Sequence, residues 1–174
     1  MIRGKTILLR PFTQADIPFF DERINDFSFH GEFNNFGLRS PGRMGNALAE
    51  NGLLSKHHGS LVITALDGQI IGDVSYHQQS YGPNEGSLAY NIGIAISAEH
   101  RGKGYGTEAQ QLLAEYLFST YPVMRVEATT DIENIAEQRS LEKASFTREG
   151  VLRRAQWRGG NWHDMVLYSK LRGE

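Results

Sequence analysis

Gly102, Gly104 and Gly106 alternate with Lys103 and Tyr105 in the stretch AEHRGKGYGTEAQQLLAEYLF, which runs from Ala98 to Phe118. Arg101 adds a further cation, and an apolar stripe follows at once: Ala109, Leu112, Leu113, Tyr116 and Leu117, spaced three and four apart. That spacing predicts an amphipathic helix. The first turn of a helix carries unpaired N–H groups and about half a positive charge. Glycines, lacking Cβ, let such amides approach an anion closely. The chemistry this arrangement offers is a pyrophosphate-sized anion hole, with Arg101 and Lys103 as mobile positive charge. The plainer alternative is a tight turn whose two cations are merely solvated. A P-loop pattern is absent, and a dinucleotide fingerprint fails because Thr107 stands where its last glycine belongs. What does fit is R-x-x-G-x-G, at Arg101, Gly104 and Gly106.

The elements around the glycines must position them. Upstream, Leu88, Tyr90, Ile92, Ile94 and Ile96 alternate with Ala89, Asn91, Gly93 and Ala95, a strand with one bulky and one nearly bare face. A bare face means either close sheet packing or room for a ligand. Downstream, MRVEATT reads as a short strand. If these two strands are parallel, the helix between them is a crossover, and its N-terminus lies at their carboxyl end, where α/β sheets bind ligands. Elsewhere, Thr6 to Phe12 reads as a first strand and TQADIPFF as a helix start capped by Thr13 or Asp16. DFSFHGEFNNFGLRSP is aromatic-rich and aperiodic, hence loop, and a helix is expected between Pro41 and Leu54. SLVITALDGQIIGDVSYHQQ is a hairpin turning at Asp67-Gly68. NIAEQRSLEKASF reads as a capped helix, with strands near Phe146–Gln156 and Trp162–Leu171 after it. No linker or repeat divides the chain, so residues 1–174 are expected to form one domain.

Bulk composition narrows the partners. A formal net charge of -2 over 174 residues gives no global field toward nucleic acid or an anionic membrane. With no cysteine, disulfides, thiolate nucleophiles and Cys-based zinc sites are excluded. The six histidines include no H-E-x-x-H pair, and His57-His58 sits in an expected loop, so no metal is expected. The opening MIRGKTILLRPF has no apolar signal region, and a cytoplasmic protein is the expectation.

The glycine segment resembles the acetyl-CoA-binding motif of the GNAT superfamily of N-acetyltransferases. LLRPFTQADIPFF is similar to the opening of its RimJ/RimL-like branch, typified by the ribosomal-protein N-terminal acetyltransferases. That branch's N-x-x-S-x-x-x-x-E-K-x-G-F helix is matched at Asn134, Glu142, Lys143 and Phe146, and its closing G-x-x-x-D-x-x-x-Y strand at Gly160, Asp164 and Tyr168. The resemblance implies an α+β (α/β) fold: a mixed, mostly antiparallel sheet of about six to seven strands flanked by about four helices. The sheet would splay between a parallel fourth and fifth strand, here Ser87–Ile96 and Arg125–Thr130. Acetyl-CoA, as cosubstrate, would lie in the splay. Its pyrophosphate would rest on Gly102, Lys103, Gly104, Tyr105, Gly106 and Thr107 beside Arg101, and its pantetheine along Ile94, Ala95 and Ile96.

Asn134 takes the family position that bonds the pantetheine arm; equally, Asn134 with Glu137 can be a capping box serving only its helix. The Ala95 amide is the implied oxyanion donor. Glu32, Phe33, His77 and Asn91 would wall the acceptor site, although Phe27, Phe29, Phe33 and Phe36 also suit a core. Three departures stand out. Asn91 occupies a position where many relatives have Glu and cannot be a base. Leu141 and Glu137 stand where many have Tyr or Ser. Ser140 is the nearby substitute donor to the leaving thiolate, and Glu85, His77, Glu32 or a water chain the substitute base. The implied activity is direct attack of a primary amine on acetyl-CoA, the acceptor being a protein N-terminus or amino-acid-like α-amine. Alternatives are a small amine such as a polyamine, aminoglycoside or other antibiotic, or an inactive CoA-binding module. Monomer and homodimer are both compatible.

Overall fold

The computed structural model describes every residue from Met1 to Glu174. A short strand β1 (Ile2–Arg3) folds back on β2 (Ile7–Pro11), and the Glu108 carboxylate accepts the amides of Lys5 and Thr6 in the turn between them. The first helix follows as a 3-10 turn (Gln14–Asp16) and α1 (Ile17–Arg23). Asp16 fixes this start: its carboxylate accepts the Thr13 amide at 2.8 Å and the Arg10 guanidinium at 2.8 and 2.7 Å. The aromatic stretch expected to be loop contains a single helical turn, α2 (Phe27–His30), and a 3-10 turn at Glu32–Asn34. Asp26 accepts the Ser28 amide to start α2, and Phe29 holds it by burying against Phe12, Phe20 and Val62. Phe27 and Phe36 stay largely exposed.

Helix α3 (Arg43–Asn51) falls inside its expected window. Strands β3 (His58–Ala65) and β4 (Ile70–Ser80) form the hairpin, turning at Gly68 with φ +94. Strand β5 (Leu88–Ile96), helix α4 (Tyr105–Thr120) and strand β6 (Arg125–Asp131) build the crossover. Helix α5 (Ile135–Lys143) and the hairpin β7 (Thr147–Arg158) and β8 (Asn161–Leu171) complete the chain. The eight strands lie in the order β1-β2-β3-β4-β5-β6-β8-β7, and each neighbouring pair is antiparallel except β5 and β6. β1 and α2 exceed the expected count of strands and helices. Both are too short to leave a periodic signal in the sequence.

Alternation along the strands divides the core in two. On one face, a cluster of 21 buried residues joins Ile7, Leu61, Val74, Tyr76, Tyr90 and Ile92 to Leu113 and Leu117 of α4. The other face carries the smaller group of Phe12, Phe20, Phe29 and Val62. The bare face of β5 belongs to this second side, and Gly93 there is exposed. Strands β5 and β6 pair only at Tyr90–Val126, Asn91–Glu127 and Ile92–Ala128. Beyond that, β5 keeps β4 through Ile96–Gly72, and β6 keeps β8 through Asp131–Met165. Each strand holds its outer neighbour while losing the inner one, which opens a wedge.

Candidate active site

The hydrogen bonds at the two ends of the β4–β5 ladder decide which amides face the wedge. Tyr81 N–H donates to the Ser87 carbonyl at 2.9 Å, and Ser97 N–H to the Ile71 carbonyl at 3.0 Å. Alternate residues of an antiparallel pair bond to the partner strand. Odd-numbered residues of β5 therefore face β4, and the amides of Ile94 and Ile96 turn into the wedge.

At the mouth of the wedge the chain makes a 3-10 turn at Ala98–His100 and then the glycine loop. Gly102 and Gly104 adopt φ +74 and +86, left-handed values that suit residues without Cβ. The first bond of α4 runs from Glu108 N–H to the Gly104 carbonyl at 3.2 Å, and the amides of residues 102–107 donate to no acceptor in the protein. Gly106 faces the gap between α5 and β5, where a Cβ would stand 3.6 Å from Ser140 Oγ and 3.7 Å from Ile94 Cδ1. These amides border a cavity of about 470 Å³, within the usual range for ligand sites. Its other walls come from the end of β5, the start of α5 and the turn at Glu32–Asn34.

Residues 6–147 match the family described as the acetyltransferase (GNAT) domain. The chain belongs to the GNAT acetyltransferase family. It is thus an acyltransferase by family, and its similarity to known members runs the length of the chain. A Bacillus subtilis protein named as a probable N-acetyltransferase, YjcK, is 29% identical over 94% of this chain and 93% of its own. The spermidine N-acetyltransferase of Vibrio cholerae, solved with CoA and spermine, superposes with a TM-score of 0.82 at 18% identity, covering 97% of both chains. RimL, a ribosomal-protein α-N-acetyltransferase solved with coenzyme A, gives 0.81 at 18% identity, covering 98% of this chain and 97% of its own. The two solved structures share the GNAT fold with this chain.

Most of the GNAT positions expected from the sequence meet at the cavity. Ile94, Ile96, Arg101, Gly102, Gly104, Tyr105, Gly106, Thr107, Asn134 and Ser140 line it, with Glu32 and Phe33 on the opposite wall. Ala95 does not, and ladder parity turns its amide toward β4. Lys103 is exposed on the loop outside the lining. Arg101 departs from the mobile cation expected of it: its Nε donates to the Ile96 carbonyl at 2.9 Å and a terminal nitrogen to the Phe29 carbonyl at 2.6 Å. It ties the α2 turn to the end of β5. Glu85 lies in a 3-10 turn before β5, and Leu88 to Ile94 alone spans about 20 Å of strand. His77 and Asn91 are cross-strand partners on the second face, about 13 Å along the strand from Ala95. Neither lines the cavity.

Two carboxyl groups stand out that no motif in the sequence marks as titrating groups. Half of the expected capping box forms, since Asn134 Oδ1 accepts the Glu137 amide at 3.2 Å. The Glu137 side chain, in the cavity wall, turns away from the cap and accepts from Nε2 of the buried Gln110. Burial pushes its carboxyl up to about 7, against the opposing pull of the Gln110 hydrogen bond. Beside it, Ser140 Oγ lies 3.0 Å from Thr107 Oγ1 and donates to Gln110 Oε1 at 3.3 Å. The second group is Asp73 on β4, which keeps a partial opening to solvent but is surrounded mostly by protein. Burial pushes it up to about 7 as well, with Arg39 pulling weakly the other way.

Proposed function

We propose that this chain transfers the acetyl group of acetyl-CoA to an α-amine, that of a protein N-terminus or an amino-acid-like molecule. The observation that carries the cosubstrate is the run of amides at residues 102–107, unpaired within the protein and standing where β5 and β6 part. A diphosphate satisfies such amides and complements the N-terminal end of α4. In this reading the pantetheine arm pairs with Ile94 and Ile96 as an added strand edge, and Asn134 offers its amide nitrogen to the same arm. Ladder parity supports the Ile94 amide, rather than that of Ala95, as the donor to the developing oxyanion. Ser140, in the cavity wall, is the hydroxyl assigned to the departing thiolate. Residues 148–174, outside the matched range, belong to the same domain through the pairing of β8 with β6.

The acceptor preference rests on proton chemistry. An α-amine has a pKa near 8 and a lysine-type amine near 10.4, so the latter costs about 3.4 kcal/mol more to deprotonate. With Asn91 in place of a strand carboxylate, the easier amine is favoured. A polyamine is the second reading, supported by Glu32 at the cavity wall and by the spermine-bound structural neighbour. A cytoplasmic setting, where acetyl-CoA is available, belongs to the same proposal.

Calorimetric titration with acetyl-CoA tests the first half: saturable binding is expected, and no binding at sub-millimolar concentration removes the cosubstrate assignment. A thiol-release assay on short peptides with free N-termini, and on spermidine, tests the second. Turnover of spermidine without any peptide would reverse the acceptor preference. Tight acetyl-CoA binding with no thiol release on either would leave a binding module.

A further inference from the structure

Asp73 stands in a row that crosses the second face of the sheet: Arg10 on β2, Val62 on β3, Asp73 on β4 and Ala95 on β5. Arg10 offers it nothing, being closed on Asp16. Val62 is fully buried under Phe12, Phe20 and Phe29, so the carboxylate is dry on the β3 side. Toward β5 it meets only Ala95 and the exposed Gly93, the bare face. Of the groups around it, Arg39 alone acts on it appreciably, and through space, without a hydrogen bond. The remaining polar groups of the central strands on this face lie further along them: Ser75, His77 and Gln79 on β4, His58, Ser60 and Thr64 on β3, and Asn91 on β5.

A carboxylate surrounded mostly by protein, with no hydrogen-bond donor and Arg39 acting only through space, is pushed toward its neutral form. Such a group beside a candidate active site is a candidate for a functional role. Its location says which function. It is one strand spacing, about 4.8 Å, from the segment of β5 whose Ile94 and Ile96 amides face the wedge. It also lies on the sheet face opposite α4. An amine reaching a thioester held in the wedge can arrive from that side without crossing α4 or the glycine loop.

We propose that Asp73 is the proton acceptor for the incoming amine, an inference that rests on the acetyl-transfer reading above. The acceptor arrives as an ammonium, and the Asp73 carboxylate takes one proton, freeing the nitrogen lone pair. That pair attacks the thioester carbonyl carbon, forming the C–N bond. The C–S bond then breaks, its electrons leaving on sulfur. The Ser140 hydroxyl passes its proton to the departing sulfur and regains one from the nitrogen, and Asp73 returns its own proton to solvent. Products are the N-acetyl amide, coenzyme A thiol and one released proton. A carboxyl held near neutrality differs little from an α-amine in proton affinity, so this transfer is nearly level.

The test is D73N, assayed with acetyl-CoA and short peptides bearing free N-termini, or spermidine if that is the amine turned over. Expected are a fall in kcat of about 100- to 1,000-fold at neutral pH, unchanged acetyl-CoA affinity, and an acid limb of the kcat/KM profile moved up to that of the amine itself. An unchanged kcat with the limb intact overturns the proposal. So does a rise in KM alone, which would make Asp73 an anchor for a cation. A second measurement needs neither variant nor substrate: the carboxyl-carbon NMR signal of Asp73, followed against pH in the unaltered protein. A midpoint near 7 supports the assignment, and one in the ordinary aspartate range overturns it. Failure to bind acetyl-CoA is read separately and strikes the transferase reading instead.

Discussion

Asp131 and Asp73 carry the same side chain on the same sheet, and burial acts against the charge of both. At Asp131, at the end of β6 on the other flank of the wedge, burial is outweighed jointly by the Arg158 hydrogen bond, the Glu133 amide and the charges of Arg158 and His163, so its pKa is lowered. At Asp73 nothing comparable opposes burial, and the pKa rises to about 7. Two carboxylates away from the wedge behave like Asp131: Arg10 holds Asp16 down at about 2, and Arg125 with Ser169 does the same for Glu149. Glu137, in the cavity wall, follows Asp73. What separates the two classes is therefore a direct cation contact: the carboxylates that hold elements together have one, and Asp73 and Glu137 do not. A group meant to exchange a proton near neutrality must go without a permanent partner.

The largest expected effect comes from making Asp131 resemble Asp73. In R158A a nearly fully buried carboxylate loses its guanidinium, which costs about 3–5 kcal/mol of stability. Denaturant unfolding measures that loss, and the Asp131 titration should move upward. Adding D131N should recover part of the stability, because the orphaned charge disappears. If R158A is as stable as the parent protein, the pair is not what distinguishes the two regions.

Next comes the wedge itself. G106L introduces no positive-φ strain and replaces the poorest non-proline helix former, so the fold should hold or gain slightly. Its side chain must occupy the gap between Ser140 and Ile94. Acetyl-CoA affinity should fall by at least about 100-fold, or roughly 2.7 kcal/mol. Calorimetry beside a melting curve separates the two effects, and retained affinity would mean that the cosubstrate does not use this gap.

A third prediction sets the two classes of carboxylate against each other by pH. Glu137 has a folded pKa near 7, above its unfolded value. Its contribution is therefore fully present below about pH 4.5 and lost as pH rises through 7. Asp16 behaves oppositely, its contribution being present above its unfolded value and lost as pH falls toward 2. E137Q should flatten the decline between pH 4.5 and 7 by on the order of 2 kcal/mol while leaving the acid limb unchanged. An unaltered slope in E137Q would show that its carboxyl titrates normally.

The sequence was informative where signals were local and repeated. The apolar stripe of α4, the alternation of β5 and the glycines between them each declare their element within a few residues, and the wedge follows from their order. Asp73 is different. In GQIIGDVSYHQQ it takes an outward turn of an alternating strand, where a carboxylate ordinarily meets water. What shields it on the β3 side is Val62 under Phe12, Phe20 and Phe29, whose phenylalanines are far away in sequence. Arg101 misled for the same reason, because its partner carbonyl on Phe29 lies in a segment whose helical turn is too short to predict. Glu137 was hidden by a local pattern that explained it too easily: three residues after Asn134 it completes a capping box on paper, while Gln110 takes its side chain elsewhere.

The smallest effect belongs to Asn134, where the structural and the binding roles meet in one side chain. Its Oδ1 caps α5 by accepting the Glu137 amide, and its Nδ2 makes no bond within the protein. N134D keeps an equally good cap and nearly the same shape while removing the donor. N134A removes both and should lower stability by about 1 kcal/mol. If the pantetheine arm takes a hydrogen bond from Asn134, acetyl-CoA binding should weaken in N134D by about 1 kcal/mol with the melting temperature unchanged. The added negative charge tends the same way, so N134S, which caps without charge, must weaken binding too. Unchanged affinity in N134S would reduce Asn134 to a helix cap, and the wedge would then hold its ligand through main-chain amides alone.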